Sequence, residues 1–376
     1  MQVTVTGKFK LEPDASVLDV LRKTMDVYRE ACNFVSGFVF LSRDLRHRPL
    51  HDALYRQIRS HFSLGAQMSE SVLRTVLAKY KTLRSSGPHW TLCRFRRPQC
   101  DLVFNRDYSI RKNGTLSVNT LSGRIRTPFR TEGFEKHLSR NPSFGTASLV
   151  FRHGQFFLHV PMTFETDVPE DDEITNVTGV DRGIRFLAVS YDSTGRTSFF
   201  SGAAVKQKRA HYKELRRNLQ RIGTSSSRRR IRSLGQRENR WIRDVDHCVA
   251  KALCAENPRG TLFVLEDLSG IRSAVERVRT KDRYVSVSWP YGDLERKLRY
   301  KAALNGQKVI LVNPAYTSQA CPVCGNVSRE NRRKGEHSFQ CLGCGYRSND
   351  DRIGAMNLHR MGNEYLVQSR TGTSRT

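Results

Sequence analysis

The sequence predicts a multidomain protein of the α+β class, and three patterns along the chain support this. Apolar residues recur at helical spacing from Val17 to about Leu83. From Trp90 to about Phe164 the pattern changes to short alternating segments with turn signals, which predicts a β-barrel or sandwich. Beyond residue 176, apolar strands alternate with helical segments, so a further α/β region is expected.

The N-terminal half is predicted to be a barrel with a helical domain inserted into it. Residues 2–11 alternate polar and apolar, which indicates a strand that pairs with a distant partner and completes the barrel. Asp14 or Ser16 can cap the first of three or four helices. Asn113-Gly114 and His153-Gly154 are hairpin signals between the later strands. The acidic stretch ETDVPEDDEITN, residues 165–176, has no apolar face and indicates a linker.

The charge of the chain points to a polyanionic partner. Lys and Arg number 64 against 36 Asp and Glu, which gives a formal charge of +28 and a pI near 10.2. Nucleic acid is the partner that such a surplus favours. A membrane partner is not expected, because no 18-residue apolar run exists and the start lacks the apolar core of a signal peptide. The protein is therefore expected inside the cell.

The positive charge is concentrated in particular stretches. Between Lys206 and Arg243 there are fourteen Lys plus Arg and only two acids, within a predicted helical hairpin broken at Gly223-Thr224-Ser225. A solvated charged helix normally carries both signs, so this bias favours phosphate contact. Residues 271–284 form another basic segment, interpreted as a candidate lid. Arginines also alternate with aromatic residues in the barrel region, which suits nucleic acid, although barrel core is the alternative for the aromatics. The residues concerned are Arg94, Phe95, Arg96, Arg97, Phe104, Tyr108, Arg124 and Arg126.

Four cysteines form the strongest single signal. Cys321 with Cys324 and Cys341 with Cys344 are two Cys-x-x-Cys-Gly pairs separated by sixteen residues, which is the spacing of a structural zinc ribbon. Four sulfurs leave no position for water, so such a zinc would be structural. Two disulfides or four unrelated thiols are the alternatives, and His337 could replace one ligand. The other cysteines are scattered, as expected of reduced thiols.

Three acidic residues lie on or at the ends of predicted core elements. Asp181 lies in an apolar strand, Glu266 ends the apolar run GTLFVLEDL, and Asp351 opens the last helix. Clustered carboxylates could bind two Mg²⁺ ions, which activate water and stabilise the leaving oxygen of a phosphodiester. The alternative is a turn acid, a strand end and a helix cap with no common function. Asp267 points to the opposite face of an ideal strand and is not expected to join the cluster.

Several motifs together resemble the TnpB family of transposon-encoded nucleases, which are related to the compact type V CRISPR effectors. The motifs are Gly179-Val180-Asp181-Arg182-Gly183-Ile184, Val264-Leu265-Glu266-Asp267-Leu268, Thr317-Ser318, the cysteine pairs, and Asp351 with Ala355 and Asn357. The motif order and the position of the cysteine pairs carry the resemblance. The N-terminal half is similar in layout more than in motif.

The resemblance implies a specific domain organisation. An N-terminal wedge-type β-barrel with an inserted helical recognition domain would be followed by an RNase H-like (RuvC) α/β domain with an inserted zinc ribbon. The expected boundaries are 1–15 and 88–166 for the barrel, 16–87 for the recognition domain, 167–176 for the linker, 177–315 and 350–362 for the RuvC-like domain, 316–349 for the ribbon, and 363–376 for a disordered tail.

The resemblance also implies an activity, RNA-guided cleavage of DNA. Asp181, Glu266 and Asp351 would bind Mg²⁺ or Mn²⁺ as catalytic ligands, and the four cysteines would bind structural Zn²⁺. The expected partners are a guide RNA, double-stranded target DNA with a short adjacent motif, and the displaced single strand. A monomer acting on DNA in a prokaryotic cytoplasm is favoured.

One departure from the family pattern affects the third motif. The family commonly has Asp-x-Asn-Ala there, whereas this chain has Asp351-Arg352-Ile353-Gly354, and Ile353 cannot make a polar contact beside the third acid. The three acids are intact, which argues against the alternative of a guided DNA-binding regulator that does not cut. A second alternative is a protein-only transposase or transposition accessory, but no tyrosine or serine motif supports it.

Overall fold

A computed structural model of the chain describes residues 1–87, 89–97, 99–111, 114–131, 133–235, 237–268, 291–333 and 335–371. The chain divides into two compact units. One comprises Gln2–Glu165, and the other begins at Thr166 and includes Met1. The division falls at the start of the acidic stretch that is predicted to be a linker. The candidate lid, residues 271–284, lies outside the described residues.

The N-terminal unit contains a curved, barrel-like sheet. Its strands are β1 (Gln2–Leu11), β2 (Gln99–Leu102), β3 (Tyr108–Ile110), β4 (Thr115–Thr120), β5 (Gly123–Arg130), β6 (Ser143–Phe144), β7 (Ala147–Arg152) and β8 (Gln155–Glu165). They follow the order β2-β7-β8-β1-β5-β4-β3, and β6 pairs with β8. Because β1 is antiparallel to both β5 and β8, the prediction that residues 2–11 complete this sheet is confirmed. A short helix, α4 (Glu135–Leu138), lies between β5 and β6.

The turn between β7 and β8 has the predicted form. Arg152 lies opposite Gln155, and the two intervening residues have positive φ, +51° at His153 and +78° at Gly154. Two positive φ values are those of a type I′ turn, whose twist matches that of the strands it joins. The His153-Gly154 hairpin is therefore confirmed. Asn113 of the other predicted turn lies outside the described residues, although β3 and β4 pair on either side of it.

Helices α1 (Ala15–Ser42), α2 (His47–Phe62) and α3 (Ala66–Ser85) lie between β1 and β2 in the chain and form the predicted helical region. The Asp14 side chain caps α1 by accepting from the Val17 amide at 2.8 Å. The apolar residues at helical spacing are buried, among them Leu21, Met25 and Val35. Burying this apolar surface is the main source of stability for such a helix.

One strand is shorter than the sequence pattern suggests. Alternation predicts a strand through CRFRRPQCDLVF, residues 93–104, but β2 comprises Gln99–Leu102. The preceding residues run along α1 instead, where the Asn33 side chain bonds both backbone groups of Phe95. A side-chain amide thus replaces the partner strand that the alternation pattern assumes.

The second unit contains a mixed sheet with helices. Its strands are β9 (Asn176–Asp181), β10 (Phe186–Asp192), β11 (Thr197–Ser201), β12 (Thr261–Glu266) and β13 (Lys308–Val312). Their order is β11-β10-β9-β12-β13. β12 is parallel to both β9 and β13, whereas β10 is antiparallel to its neighbours. Strand β12 is buried except at Glu266, as its continuous apolar run predicts. The α/β prediction is therefore confirmed.

The helices of this unit are α5 (Ala203–Ile222), α6 (Ser225–Leu234), α7 (Arg237–Glu256), α8 (Tyr291–Leu304) and α9 (Asp350–Arg370). The predicted break after α5 is confirmed, because Gly223 has a φ of +68°. A second break at Gly235, with a φ of +49°, separates α6 from α7. The prediction of one helical hairpin was wrong in this respect, because a second glycine, Gly235, also has a positive φ and ends a helix.

Helix α9 packs directly against β9 and β12. A Cβ added to Gly179 would lie 2.1 Å from the Ala355 carbonyl oxygen and 2.4 Å from the His359 amide nitrogen. One added to Gly362 would lie 2.5 Å from a methyl carbon of Val264. These glycines therefore allow an approach of helix to sheet that a side chain would prevent.

The predicted disordered tail after Gly362 was wrong as far as Arg370, because α9 continues to that residue. Two contacts hold its end. The Tyr365 hydroxyl donates to Asp171 at 3.0 Å, and the Arg370 guanidinium donates to the Ile174 carbonyl at 3.0 Å. Residues 372–376 lie outside the described residues.

A small insertion connects β13 to α9. It contains β14 (Arg332–Arg333), β15 (Ser338–Gln340) and β16 (Arg347–Asn349), in that order in the sheet, with a short 3₁₀ helix (Arg329–Asn331) before β14. Its core is Cys321, Phe339 and Cys341, against which Ile353 of α9 packs. The insertion thus shares a core with the first turns of the last helix.

Candidate active site and cysteine cluster

Two of the predicted acids end neighbouring parallel strands. Asp181 is the last residue of β9, and Glu266 is the last residue of β12. In the register of these strands Leu265 lies opposite Val180, so the two acids follow at the same edge of the sheet. Asp267 is exposed, as expected from the alternation of side chains along a strand.

The third acid lies at the N-terminus of α9. The side-chain oxygen of Asn349 caps the helix by accepting from the backbone amides of Asp351 and Arg352, at 3.0 and 3.2 Å. A helix N-terminus favours negative charge, and the cap fixes the first turn on which Asp351 stands. A Cβ added to Gly354 would lie 2.7 Å from a carboxylate oxygen of Asp181, so this turn lies against the first acid.

The three carboxylates are coupled electrostatically, with Asp181 in the middle. Burial, and then the charges of Glu266 and Asp351, raise the pKa of Asp181 to about 8. Burial also raises the pKa of Glu266 and, together with the charge of Asp350, that of Asp351. Asp181 is thus affected by both other acids. Among the described residues, Arg332 offsets only part of this effect, because the pKa of Asp181 remains raised.

The carboxylates are spaced more widely than the ligands of a single ion. Within the described ranges, the four cysteines alone bring at least three His, Cys, Asp or Glu ligand atoms within 4.8 Å of one another. In addition, Oδ2 of Asp351 is buried and has no hydrogen-bond partner among the described residues. A buried carboxylate oxygen without a partner is costly unless a cation or water binds it. Hard divalent cations prefer such ligands, so the donor set fits Mg²⁺ or Mn²⁺.

Glu266 is oriented by the Thr317-Ser318 motif. The Thr317 hydroxyl donates to the Glu266 carboxylate, and this hydrogen bond lowers the pKa that burial raises. The Thr317 carbonyl in turn accepts from the Asn357 side-chain amide at 2.7 Å. The same amide donates to the Ala320 carbonyl at 2.9 Å. Asn357 therefore connects α9 to the segment that orients the second acid.

Arg182 holds the end of β12 from inside the protein. Its side chain is 2% exposed, and its guanidinium donates to the backbone carbonyl of Glu266 at 2.5 Å and to the carboxylate of Glu295 at 3.3 Å. Glu295 lies on α8 and also accepts from Arg299 at 3.0 Å. One arginine thus joins the end of β9, the end of β12 and α8.

Arg332 brings positive charge from the cysteine insertion to the acids. Its Nε lies 3.0 Å from Asp350 and its Nη2 lies 3.9 Å from Asp351. It lowers the pKa of all three predicted acids, against the effect of burial. Asp350 is 1% exposed, so the Arg332–Asp350 pair compensates the charge of a further buried carboxylate beside the three predicted acids.

The departure at the third motif has a structural reason. Ile353 is fully buried and packs against Cys321, Phe339 and Cys341. An apolar residue at this position therefore joins the helix to the core of the cysteine insertion. Gly354, where the family commonly has alanine, is the residue that faces the Asp181 carboxylate.

The four cysteines form one compact cluster. Cys321 Sγ lies 3.7 Å from Cys344 Sγ, and Cys324 Sγ lies 3.5 Å from Cys341 Sγ. A tetrahedral ion with bonds of about 2.3 Å to sulfur has edges of about 3.8 Å. None of the nine cysteines forms a disulfide. The backbone amide of Cys344 lowers the pKa of Cys341, whereas the pKa of Cys344 is raised, so the thiolate is favoured at Cys341. The alternatives of two disulfides or four unrelated thiols are therefore not supported.

The basic character of α6 differs from that of α8. Ser227, Ile231 and Leu234 form the inner side of α6. Its arginines are exposed and lie beyond 4 Å of any carboxylate among the described residues. By contrast, Arg296, Lys297 and Arg299 of α8 pair with acids of α7 and α8. The positive charge of α6 is therefore available to an external partner. The α6 arginines are Arg228, Arg229, Arg230 and Arg232.

The sequence matches two family models that together include every predicted site residue. Residues 159–269 match OrfB_IS605, described as a probable transposase, and residues 291–358 match the Cas12f1-like TNB domain. A TnpB-like protein of Methanocaldococcus jannaschii is 32% identical over 125 residues, which is 33% of this chain and 44% of the relative. The chain is a relative of the TnpB-like proteins. The resemblance inferred from the motifs is thus confirmed.

Compact CRISPR nucleases are similar to this chain as well. The CRISPR-associated endodeoxyribonuclease Cas12f2 of a Micrarchaeota archaeon is 26% identical over 259 residues, 65% of this chain and 46% of the relative. Cas12f1 of Syntrophomonas palmitatica is 26% identical over 230 residues, 56% and 44% of the two chains. This chain spans about half the length of these curated relatives.

The fold is shared with a solved Cas12f1. That protein, determined by cryo-EM in a complex with sgRNA and target DNA, matches with a TM-score of 0.60 at 14% identity. The match covers 92% of this chain and 82% of that one. The predicted fold class, a barrel-like sheet and helices followed by an α/β region with a cysteine insertion, is therefore confirmed. None of the helices in the described ranges has the length and apolar character that a membrane crossing needs.

Several supporting residues were not identified from the sequence. Arg182 and Thr317 belong to the quoted motifs, but neither pattern nor spacing indicates what they contact. Arg332 lies among other basic residues of the insertion and carries no distinguishing signal. Asn349 before Asp350 and Asp351 is a recognisable N-cap pattern and could have been predicted.

Proposed function

We propose that the chain is a metal-dependent, RNA-guided DNA endonuclease, with Asp181, Glu266 and Asp351 as ligands of Mg²⁺ or Mn²⁺. The observation that carries this proposal is the meeting of the three acids: Asp181 and Glu266 end neighbouring parallel strands at one edge of the sheet, and the first turn of α9, which bears Asp351, lies against Asp181. Burial and the charges of the other two acids raise the pKa of Asp181, a cost that bound cations would relieve. The endonuclease names of the Cas12f relatives support the same activity.

The protein's own residues would prepare the site for the cations. Thr317 and Arg182 fix the carboxylate and backbone of Glu266, while the capped N-terminus of α9 fixes Asp351. Arg332 would limit the repulsion among the acids before cations bind. When bound, a pair of divalent ions supplies an activated water and stabilises the leaving oxygen of the phosphodiester. The acids would thus hold the cations. Gly354, which has no side chain, would leave space next to the Asp181 carboxylate.

The α/β unit is proposed to be a RuvC-like, RNase H-like nuclease domain. Support comes from its mixed five-strand order β11-β10-β9-β12-β13 within the described residues, with acids at the ends of β9 and β12. The predicted boundaries, 177–315 and 350–362 with the cysteine insertion 316–349, remain part of this proposal. The assignments of residues 1–15 and 88–166 as a wedge domain and of residues 16–87 as a recognition domain are also part of this proposal.

The proposed partners are a guide RNA, target DNA with a short adjacent motif, and the displaced strand. Base pairing would provide sequence specificity, and the protein would bind the phosphate backbone. The exposed arginines of α6 support such contacts, because no carboxylate of the described residues lies within 4 Å of them. The four cysteines are proposed to bind Zn²⁺ as a structural ion. A monomer acting in a prokaryotic cytoplasm is the favoured setting.

The decisive experiment is to express the protein with its native flanking DNA and to sequence the RNA that copurifies. A discrete RNA from the flank supports the guide and defines the target for a Mg²⁺-dependent cleavage assay. Heterogeneous cellular RNA without guided cleavage would overturn the proposal. Guided binding without cleavage would instead identify a DNA-binding regulator.

A further inference from the structure

Two histidines and a glutamate lie together where α2 packs against α3. His47 and His51 are four positions apart on α2, so they project from the same side of the helix. Glu70 lies near the N-terminus of α3 and contacts them from the neighbouring helix. All three belong to the N-terminal unit and are remote in sequence from the three acids and from the cysteine cluster. The proposed function uses none of them.

The Glu70 carboxylate lies between the two imidazole rings. Nε2 of His47 is 2.8 Å from one of its oxygens, and Nε2 of His51 is 4.0 Å from the other. Nitrogen and oxygen ligands of a tetrahedral Zn²⁺ ion, with bonds of about 2.0 to 2.1 Å, lie about 3.4 Å from one another. The three ligand atoms do not yet lie within 4.8 Å of one another, as the cysteine sulfurs do. The His47 and His51 side chains are 41% and 39% exposed, so they can rotate to close this gap.

The contact between His47 and Glu70 does not have the geometry of a hydrogen bond. Nε2 of His47 is buried and has no hydrogen-bond partner among the described residues, although the carboxylate oxygen is 2.8 Å away. A shared proton lies close to the line between donor and acceptor, whereas a shared metal ion lies to one side of that line. The oxygen therefore approaches the ring as a second ligand of one ion would. A cation would also remove the cost of the buried ring nitrogen.

Neighbouring side chains orient His51 and Glu70. Nδ1 of His51 lies 3.4 Å from the Asp52 carboxylate, and the ring stacks on Tyr55 with a centroid distance of 4.6 Å. A carboxylate at one ring nitrogen leaves the other nitrogen as the metal ligand. Arg74 donates to Glu70 at 3.1 Å, but its side chain is 67% exposed and can turn into solvent when a cation binds.

We propose that His47, His51 and Glu70 bind a Zn²⁺ ion that joins α2 to α3. Two imidazole nitrogens and a carboxylate oxygen are a ligand set that Zn²⁺ accepts, and a water molecule completes the tetrahedron. Mg²⁺ prefers oxygen ligands and does not compete for this set. Because the ligands come from two helices, the ion stabilises the folded helical region. The inference goes beyond the proposed function and does not depend on it.

The test uses the full-length chain, freed of nucleic acid and with zinc at the cysteine cluster. A D181N background weakens cation binding at the candidate active site. Zn²⁺ is titrated into this parent protein, and binding is followed by isothermal titration calorimetry. Three variants each remove one ligand: H47Q, H51Q and E70Q. The control is H61Q, which removes an exposed imidazole of the same helix whose ring stacks on an aromatic side chain of α1.

We expect the parent to bind one Zn²⁺ ion beyond that of the cysteine cluster. Each ligand variant should weaken this binding about tenfold or more, whereas H61Q should leave it unchanged. D52N should have a smaller effect than H51Q, because it removes only a group that orients the ring. Added Zn²⁺ should raise the midpoint of thermal unfolding of the parent and of H61Q, but not that of the three ligand variants.

A parent that binds no further Zn²⁺ would overturn the proposal. Equal losses in H61Q and in the ligand variants would also overturn it, because they would identify scattered surface histidines as the binding groups. Circular dichroism checks that each variant is folded, and if H47Q does not fold, H51Q and E70Q decide the outcome. Cleavage is not a readout here. A missing zinc ion would therefore leave the nuclease proposal intact, and a protein without guided cleavage would leave the zinc site intact.

Discussion

The cysteine cluster and the carboxylate cluster are both candidate metal sites, but they are built in opposite ways. The cysteines come from one stretch of 24 residues, Cys321–Cys344, and their sulfurs already lie within 4.8 Å of one another. The carboxylates come from two strands and a helix, lie further apart, and raise the pKa of Asp181. A closed set of soft ligands is suited to holding an ion permanently. An open set of charged oxygens is suited to binding cations with substrate.

The largest expected effect is a loss of folding stability, and it is expected at the cysteine cluster only. Cys341→Ser should remove the structural ion and unfold the insertion, because such an ion contributes on the order of 10 kcal/mol to a small domain. Ile353 packs on this cluster, so the start of α9 and cleavage should be lost with it. Zinc content and thermal unfolding measure the effect. Cys248→Ser, at an exposed thiol outside the cluster, is the matched control. A zinc-free C341S protein that melts like the wild type would contradict the assignment.

The second effect is expected at the carboxylate cluster, where a substitution should lower cleavage but leave folding stability unchanged. Asp181→Asn should lower cleavage by about 10³-fold or more, because it removes the shared cation ligand. Nucleic-acid binding and folded yield should be retained, since the basic surfaces are unchanged. Cleavage rate and binding affinity are measured on the same preparation. Asp244→Asn, at an exposed carboxylate of α7, should leave both unchanged. Undiminished cleavage by D181N would remove Asp181 from the site.

The third effect is the pH dependence of cation binding at the carboxylates. Asp181, with a pKa of about 8, must lose its proton to bind a cation, so Mn²⁺ affinity should rise about tenfold per pH unit from pH 6 to 8 and then level off. Titration followed by the electron paramagnetic resonance of Mn²⁺ measures this affinity. D181N should abolish the slope. A wild-type affinity that is flat over this range would be incompatible with a raised pKa at Asp181.

A rise in pH through the pKa of Asp181 has the opposite effect on the stability of the metal-free protein. The folded pKa of about 8 exceeds the ordinary value of 3.8, so the proton stabilises the folded state. That contribution is complete below about pH 4 and is lost as pH rises through about 8. In EDTA, D181N should therefore gain stability relative to the wild type as pH increases over this window.

The smallest expected effect tests how the protein orients its carboxylates. Arg182→Lys keeps the charge but loses the guanidinium that donates to both the Glu266 backbone carbonyl and the Glu295 carboxylate. It should therefore weaken Mn²⁺ binding about tenfold. Glu295→Gln should have a smaller effect. Arg299→Gln breaks only the outer pair with Glu295 and should have none. Mn²⁺ affinity and the Mg²⁺ dependence of cleavage are the readouts. Equal effects of R182K and R299Q would indicate a general role of α8 instead.

The two sites also differ in what the sequence reveals. The cysteine pairs are a local pattern, and the acids at the ends of apolar runs are predictable because charges are rarely buried in strands. Arg332 and Thr317 act through contacts that form only after folding. The spacing of residues in the sequence therefore does not predict these contacts. The helix after Gly362 was missed because its residues are mostly polar. The Asp171 contacts of Tyr365 and Arg370 that hold it cross almost 200 positions of chain.

The position of α9 has a consequence for how the protein is made. Asp351 follows Asp181 by 170 positions, and it stands on the helix that covers β9 and β12. At roughly 5 to 20 residues per second, a ribosome needs about 10 to 30 seconds to cover that distance. During this interval the nascent chain has at most two of the three acids, because Glu266 follows Asp181 by 85 positions, and its sheet face lacks the helix. The carboxylate cluster is therefore complete only after α9 has been synthesised, and until then the uncovered face of the sheet exposes apolar surface that favours aggregation.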